Sequence, residues 1–172
     1  TIGEYTFYLC KSLSSATLSG SLSSIGKYAF STSNLSSIVI PSSVTSIGER
    51  CFSYCKSLKS AELPDSLTTI SEYAFANSGL ESIKIPNGIS SIEAGVFSQC
   101  TKLTSVDLSS TVTSIGPGAF RDNVLLESLT IPADVTFIDS DAFVNCYKLS
   151  SLTYLGYNPP SFNGDPFRNC DK

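Results

Sequence analysis

Apolar residues recur along this chain with a period of about 23 residues. The clearest marker is a phenylalanine in the same place of every repeat: Phe7, Phe30, Phe52, Phe75, Phe97, Phe120, Phe143 and Phe167. The repeated phrase is Leu-x-Ser-Ile-x-Ile-Pro-x-x-Val-Thr-Ser-Ile-Gly-x-x-Ala-Phe-x-x-Cys. A repeat of this length is too short to bury its own apolar side, so each unit must stack on its neighbours. The pattern therefore predicts a solenoid.

Each repeat contains one strand phrase, and these phrases begin at Leu13, Leu35, Leu58, Leu80, Leu103, Leu126 and Leu149. The fourth and sixth places of the phrase are apolar, which is the alternation of a half-buried strand. Proline follows the strand at four places and should end the ladder there because it has no N–H to donate: Pro41, Pro64, Pro86 and Pro132. Glycine after the next isoleucine indicates a turn with positive φ, at Gly26, Gly48 and Gly116.

We expect residues 1–172 to form one solenoid of seven units of 22–24 residues plus a truncated eighth. The repeat phase starts and stops midway, so we interpret the chain as part of a longer array. Two short units lack one residue just after the phenylalanine, at Ser33-Asn34-Leu35 and Ser78-Gly79-Leu80. Because the strand phrases keep their length, these deletions should lie on the side opposite the strands.

The composition of the chain mainly excludes classes of protein. Hydrophobic residues make up 41% of the chain, enough for a core, whereas charged residues make up only 15%, below the roughly 25% that is typical. A net charge of -4 does not fit the basic surface of a nucleic-acid-binding protein. No apolar run reaches the roughly 18 residues of a membrane helix, so we expect no membrane insertion within this segment.

The repeat resembles the BspA-like leucine-rich repeat, also called the Treponema pallidum type, over essentially the whole chain. The resemblance implies an α/β repeat solenoid: a right-handed coil with a parallel β-sheet on the concave face and short turns or helical segments on the convex face. It also implies a surface or secreted protein that adheres to host proteins or other cells. The asparagine that usually follows the strand is replaced here, so backbone groups need other partners; the replacements are Ser43, Ser66, Gly88, Thr111 and Asp134.

Five of the six cysteines lie three residues after a repeat phenylalanine: Cys10, Cys55, Cys100, Cys146 and Cys170. Alternate units are roughly 10 Å apart, which is too far for a disulfide. We therefore predict free thiols that pack as small apolar groups. Cys146 and Cys170 lie in adjacent units, and the sequence leaves open whether they pair. We expect no metal or other cofactor, because the chain has no histidine and no Cys-x-x-Cys pair.

The second, third and fifth places of the strand phrase should point away from the core. The third place is serine in all seven units, which keeps the face shallow and lets hydroxyls hydrogen-bond along the sheet. Charges of alternating sign cluster in the central units, at Lys59, Glu62, Glu81, Lys84 and Asp107. They fit a polar recognition patch, and they equally fit cross-strand pairs on a solvated sheet, worth about 0.2–1 kcal/mol each.

Catalysis is not expected, because the chain offers no histidine, no glycine-rich phosphate loop and no cleft for paired carboxylates. The resemblance to the BspA-like family implies a non-enzymatic extracellular or cell-surface module for adhesion or protein–protein interaction, with a protein or cell-surface ligand such as host matrix. The alternative is a structural spacer or a self-associating element that grows end to end. Recognition of glycan or lipid on the strand face ranks last, because its outward places contain no aromatic residue. Asn34-Leu35-Ser36 fits the N-glycosylation pattern, relevant only in a eukaryotic secretory source.

Overall fold

The computed structural model describes residues 1–170, which form a parallel β-solenoid. In chain order its strands are β1 (Ser24–Ile25), β2 (Ser37–Val39), β3 (Ser46–Ile47), β4 (Ser60–Glu62), β5 (Thr69–Ile70), β6 (Ser82–Lys84), β7 (Ser91–Ile92), β8 (Ser105–Asp107), β9 (Ser114–Ile115), β10 (Ser128–Ile131), β11 (Phe137–Ile138), β12 (Ser151–Tyr154) and β13 (Ser161–Phe162). Each unit from Leu35 onward contributes one even-numbered strand from the strand phrase and one short odd-numbered strand. The two kinds form two separate columns along the solenoid.

The odd-numbered strands align the repeat isoleucines. They form two parallel sheets, β1-β3-β5 and β7-β9-β11-β13. Ile25 pairs with Ile47, and Ile47 pairs with Ile70, so the same place of each unit stacks on itself. These side chains are buried. The isoleucine period therefore reports a real ladder of core residues.

The even-numbered strands form three separate pairs, β2-β4, β6-β8 and β10-β12, rather than one continuous sheet. The burial of the side chain at the fourth place of the strand phrase alternates between units in the same way. This residue is buried in the first strand of each pair, as in Ile38 and Ile83. It is smaller and only partly buried in the second strand of the first two pairs, at Ala61 and Val106. The strand pairing is interrupted after each of these two smaller residues.

The eight repeat phenylalanines form one continuous stack in the core. Adjacent ring centroids lie 5.0–5.6 Å apart, and the interplanar angles are 18° or less. The six central rings, from Phe30 to Phe143, are completely buried. Each ring therefore packs on both neighbouring units, which is the shared spine that the sequence period predicted.

The side opposite the even-numbered strands, which we call the turn face, consists of turns, and residues 1–170 contain no helix. From the unit of Phe7 to that of Phe143, the residues two before and two after the phenylalanine have positive φ, as in Tyr28 (54°) and Thr32 (61°). A left-handed residue at every fourth position prevents a right-handed helix from continuing. N–H groups alternate between turn and neighbouring unit: Ser31 N donates to Tyr28 O at 3.1 Å, and Phe30 N donates to Cys51 O at 2.9 Å. The predicted α/β class with helical segments is therefore corrected to a β-solenoid.

The four prolines act at the strand ends as predicted. Pro132 directly follows β10, whereas one residue separates Pro41, Pro64 and Pro86 from the last residues of β2, β4 and β6. The carbonyl of each proline accepts a hydrogen bond from the N–H three residues later, as from Val44 N to Pro41 O at 3.0 Å. Proline thus both ends the ladder and opens the turn to the next strand.

The glycines after the repeat isoleucine have a different role from the predicted one. None of Gly26, Gly48 and Gly116 has positive φ. Instead the preceding unit lies against them, since a Cβ added to Gly48 would come within 2.6 Å of the backbone N of Lys27. These positions therefore need glycine for close packing of successive units. Positive-φ glycines occur elsewhere, including Gly95 and Gly118 on the turn face.

Short side chains replace the missing asparagine ladder. Ser66 Oγ donates to Val44 O at 2.9 Å, and Thr111 Oγ1 donates to Ile89 O at 2.9 Å. Both hydroxyls come from the place where asparagine is usual, and both bind a carbonyl of the preceding unit. The hydroxyl of Ser43, at the same place, is buried without a hydrogen-bond partner. The ladder is therefore present in some units and incomplete in others.

From Cys55 onward, the cysteines that lie three residues after a phenylalanine, which we call the cysteine column, also donate side-chain hydrogen bonds to backbone carbonyls of the preceding unit. The thiols of Cys55, Cys100 and Cys146 donate to the carbonyl oxygen of the phenylalanine one unit earlier, at 3.1–3.3 Å, and Cys170 does the same at 3.2 Å. Burial raises the pKa of Cys100 to about 11 and that of Cys146 to about 12. Cys146 is a free thiol, so no disulfide joins it to Cys170. Cys55, Cys100 and Cys146 are thus protonated donors in the core, because burial raises the pKa of each thiol.

Candidate binding surfaces

The five charged residues predicted as a site all lie on the face of the even-numbered strands, which we call the strand face. Glu62, Lys84 and Asp107 are the last residues of β4, β6 and β8, and Lys59 and Glu81 precede β4 and β6. All five are exposed. Because the two rows are three residues apart along the strand, they lie roughly 10 Å from each other. We call these five residues the strand-face patch.

The charges of the strand-face patch are only partly neutralised within the chain. Lys59 and Glu81 form an ion pair at 3.7 Å between two exposed side chains. Lys84 and Asp107 are direct partners in the β6-β8 ladder. However, no ion pair in residues 1–170 joins Lys84 to Glu62 or to Asp107. Three of the five charges therefore remain available to a partner, and a single exposed pair contributes little to stability.

The serine column stands in the open between the two rows of the patch. All seven third-place serines are exposed: Ser15, Ser37, Ser60, Ser82, Ser105, Ser128 and Ser151. Within the described chain they do not hydrogen-bond to one another, contrary to the possibility raised by their spacing, although another pair of serines in adjacent strands does so, Ser114 Oγ donating to Ser91 Oγ at 3.1 Å. Their hydroxyls are thus free to meet solvent or a ligand.

Two clefts interrupt the strand face where pairing between strands is broken. One has a volume of about 310 Å³ and lies between β8 and β10, where Asp107, Thr130 and Leu155 border it. The other has a volume of about 400 Å³ and lies between the first strand phrase and β2, beside Thr17 and Val39. The strand-face patch therefore ends at a cleft on the side of Asp107.

A column on the turn face was not recognised from the sequence. It is formed by the residue two before each phenylalanine from Phe7 to Phe143: Tyr5, Tyr28, Arg50, Tyr73, Gly95, Gly118 and Asp141. Tyr5 and Tyr28 stack at 5.0 Å, and the Arg50 guanidinium lies 4.4 Å from the centroid of the Tyr73 ring. The column then stops at two glycines. The signal was readable, since aligning the units shows this place changing from bulky residues to glycine.

Residues 1–170 contain no group of three or more histidine, cysteine, aspartate or glutamate side chains placed to hold a metal ion. Nor does this part of the chain contain a helix long and apolar enough to cross a membrane. Asn34 is exposed on the surface, and its side-chain oxygen accepts a hydrogen bond from Ser57 Oγ at 2.5 Å. Its glycosylation stays a prediction.

Comparison with solved structures gives similar solenoids from several bacteria. The leucine-rich repeat protein TpLRR of Treponema pallidum is 34% identical, with a TM-score of 0.77 over 83% of this chain and 67% of that one. A leucine-rich cell surface protein of Faecalibacterium prausnitzii is 32% identical, with a TM-score of 0.64 over 81% of this chain and 44% of that one. A leucine-rich repeat protein of Bacteroides ovatus is 24% identical, with a TM-score of 0.56, and this likeness shows the fold alone.

This chain is shorter than the structures that it resembles, and a family model matches most of it. The present chain spans only 55% of the Bacteroides ovatus protein and 44% of the Faecalibacterium prausnitzii protein. A search of curated protein sequences gave no match. The family model for the BspA type leucine-rich repeat region matches in six copies, over residues 1–93 and 23–150. With the phenylalanine spine and the parallel strand columns in place, the chain belongs to the BspA-type leucine-rich repeat family.

Proposed function

We propose that this chain is a non-enzymatic binding module that mediates adhesion or protein–protein interaction at the cell surface. The observation that carries the proposal is the strand-face patch, where Glu62, Lys84 and Asp107 are exposed and have no ionic partner among residues 1–170. Polar groups that a fold leaves unpaired on an accessible face are suited to pairing with complementary charges of a partner. Solenoids commonly bind on this face.

The extracellular setting is part of the same proposal. It is supported by the Faecalibacterium prausnitzii relative, which is described as a cell surface protein and is 32% identical over 81% of this chain. The partner class that fits is a folded protein with mixed charges, such as a component of host matrix. Alternating charges on this chain would set the register of that partner, while the serine column between them permits close approach.

The test is a charge-exchange variant, E62K/K84E, which keeps the net charge and the strand ends. We expect binding to immobilised extracellular matrix proteins or to cells to weaken by about tenfold or more, because attractive pairs become repulsive. The matched control is E4K/K11E, which exchanges two exposed charges in the first unit, outside the patch. Circular dichroism should show that both variants stay folded.

Salt gives a second measurement of the same surface. If the patch carries the interaction, raising the ionic strength from about 0.15 M to about 1 M should weaken binding, because the Debye length falls from about 8 Å to about 3 Å. Equal binding by E62K/K84E and by the unmodified chain would refute this site and move the interaction to another face.

A further inference from the structure

We propose that the cleft between β8 and β10 anchors the partner of the strand-face patch, by taking a large aliphatic side chain that lies next to an arginine or lysine on that partner. The inference rests on the proposed function and names the chemistry that the strand face selects. The cleft, which we call the Asp107 cleft, has a volume of about 310 Å³, and its border includes Val106, Asp107, Leu108, Thr130, Pro132 and Leu155. This volume lies at the lower end of the roughly 300–1,000 Å³ of small-molecule pockets, so the cleft suits one inserted side chain.

The Asp107 cleft is an opening within the strand face itself. β8 pairs with β6 and β10 pairs with β12, and no ladder joins β8 to β10 within residues 1–170. The opening follows directly on the row of Glu62, Lys84 and Asp107, because Asp107 ends β8. A partner that lies along this row would therefore also cover the cleft.

The floor of the Asp107 cleft is apolar. Leu108 is only 8% exposed, Pro132 is buried and Val106 is partly buried. On the rim, Leu155 is 61% exposed and is the most exposed leucine among residues 1–170. An aliphatic side chain placed between the floor and Leu155 would remove apolar surface from water on both molecules. The cleft therefore favours an aliphatic group of the partner.

The rim is held in place before any partner binds. Leu155 N donates to Ile131 O at 3.1 Å. Tyr154 Oη donates to Asn158 O at 2.6 Å, which closes the turn that follows Leu155. Gly156, in this turn, lies against the preceding unit, since a Cβ added to it would come within 2.8 Å of Ala133 O. Because these contacts already order the rim, binding costs little conformational entropy.

The charge at the mouth of the cleft defines the neighbouring group of the partner. Asp107 is exposed, and no ion pair in residues 1–170 includes it. A carboxylate can accept two hydrogen bonds from one arginine. An aliphatic group alone would desolvate Asp107 without giving it a partner, and an acidic group would be repelled. The best fit is therefore an aliphatic side chain with a basic one beside it.

The second cleft of the strand face provides an internal comparison. It lies beside Val39, and none of the residues that border it is charged. Because it lacks a carboxylate, it has no means of preferring a basic group. Selection of a basic and aliphatic pair should therefore be confined to the Asp107 cleft.

The test is a titration of the ¹⁵N-labelled chain with acetylated and amidated glycine–serine peptides that carry one arginine and one leucine, separated by zero to three residues. We expect the Val106, Thr130 and Leu155 amide signals to shift, with a Kd of about 1 mM for the best spacing. Replacing the arginine by glutamate or the leucine by serine in that peptide should weaken binding about tenfold. The Val39 amide should not distinguish these peptides.

Two exposed residues of the cleft can be changed without disturbing the core. Asp107→Asn and Leu155→Ala should each weaken binding of the best peptide about fivefold or more, because one removes the charge and the other removes the aliphatic rim. Asp134→Asn is the control for charge, since Asp134 is exposed and does not border the cleft. Val39→Ala is the control for truncation, since Val39 is exposed at the second cleft. Both controls should bind as the unmodified chain does.

The proposal is overturned if no arginine–leucine peptide shifts these amides, if the glutamate peptide binds as well, or if Asp107→Asn and Leu155→Ala bind as the unmodified chain does. Binding to matrix proteins separates this inference from the proposed function. If E62K/K84E loses that binding while Leu155→Ala keeps it, the patch is the binding surface and the cleft is not its anchor. If both variants keep it, the proposed function fails as well.

Discussion

At the scale of single residues, short polar side chains hold the units together from inside the core. The thiol of Cys100 is buried and donates to Phe75 O at 3.2 Å. In the same place of another unit, Asn123 Nδ2 donates to Phe97 O and Phe120 O. A buried carbonyl without a partner costs about 1–3 kcal/mol. The cysteine column therefore stabilises the fold through hydrogen bonds as well as through packing.

These buried thiols should make stability fall at alkaline pH. Burial raises the pKa of Cys100 from 9.0 to about 11. Between these values the unfolded chain loses the thiol proton while the folded chain keeps it, so the free energy of unfolding decreases as pH rises. For this one group the loss is about 1.4 kcal/mol at about pH 10.

Urea unfolding at about pH 7 and about pH 10 measures this contribution. Cys100→Ser keeps a donor for Phe75 O but does not titrate in this range. The difference in unfolding free energy between the two pH values should be smaller for Cys100→Ser by about 1 kcal/mol. All other groups are common to the two proteins, so their contributions cancel in this difference. Equal losses in both would show that the thiol ionises as easily in the folded chain as in the unfolded one.

At the scale of structural elements, the turns of the turn face depend on residues in the left-handed region. Asparagine or aspartate occupies several of these places two residues after the phenylalanine, as in Asn77, Asp122 and Asn145. Thr32 occupies the same place with φ of 61°. A β-branched residue is an outlier in this conformation. The unit of Thr32 is therefore locally strained relative to the units that use asparagine.

Replacing this threonine should stabilise the chain. We expect Thr32→Asn to raise the free energy of unfolding by about 0.5–1 kcal/mol, because asparagine adopts the required conformation at lower cost. Chemical denaturation followed by circular dichroism measures the change. Thr45→Asn serves as control, since Thr45 is exposed and is not among the positive-φ residues. The turn is not strained at Thr32 if Thr32→Asn lowers the free energy of unfolding, or raises it no more than Thr45→Asn does.

The same elements explain which parts of the fold could be read from sequence. The isoleucine ladder, the phenylalanine spine and the strand ends at Pro41 or Pro132 follow directly from periodic side chains. The turns do not, because Thr32 and Tyr54 give no sequence signal of positive φ. The prediction of positive φ at Gly48 was wrong for a related reason. Gly48 is in close contact with the Lys27 backbone, 21 residues away in the preceding unit, and no local sequence pattern indicates such a contact.

The candidate sites also divide into features that could be predicted from the sequence and features that could not. The strand-face patch could be predicted because strand alternation fixes which side chains point outward, as at Glu62 and Lys84. The break after β4 and the cleft beside Asp107 could not, because the strand phrases of the paired and unpaired units have the same pattern of apolar and polar places. The turn-face column that contains Tyr28 and Tyr73 was not predicted, because turns have no regular alternation that fixes which side chains point outward.

At the scale of the whole molecule, the phenylalanine stack runs through every unit and couples each unit to its nearest neighbours. Phe75 lies 5.2 Å from Phe52 and 5.6 Å from Phe97, centroid to centroid. The stability of such an array is approximately a sum of unit terms and interface terms. Each central ring contributes to two interfaces, so the middle of the spine should control whether the two halves unfold together.

Phe75→Ala should therefore both destabilise the chain and reduce its cooperativity. Loss of a buried ring costs about 3–5 kcal/mol, and the weakened interfaces should let the halves unfold separately as a broadened or two-step denaturant transition. Phe137→Ala is the matched control: its ring is exposed at 37% and lies outside the stack, so it should cost under about 1 kcal/mol. Hydrogen exchange should locate the early exchange on both sides of residue 75. A single sharp transition in Phe75→Ala, with a loss no larger than in Phe137→Ala, would show that the units are coupled by backbone hydrogen bonds rather than by the rings.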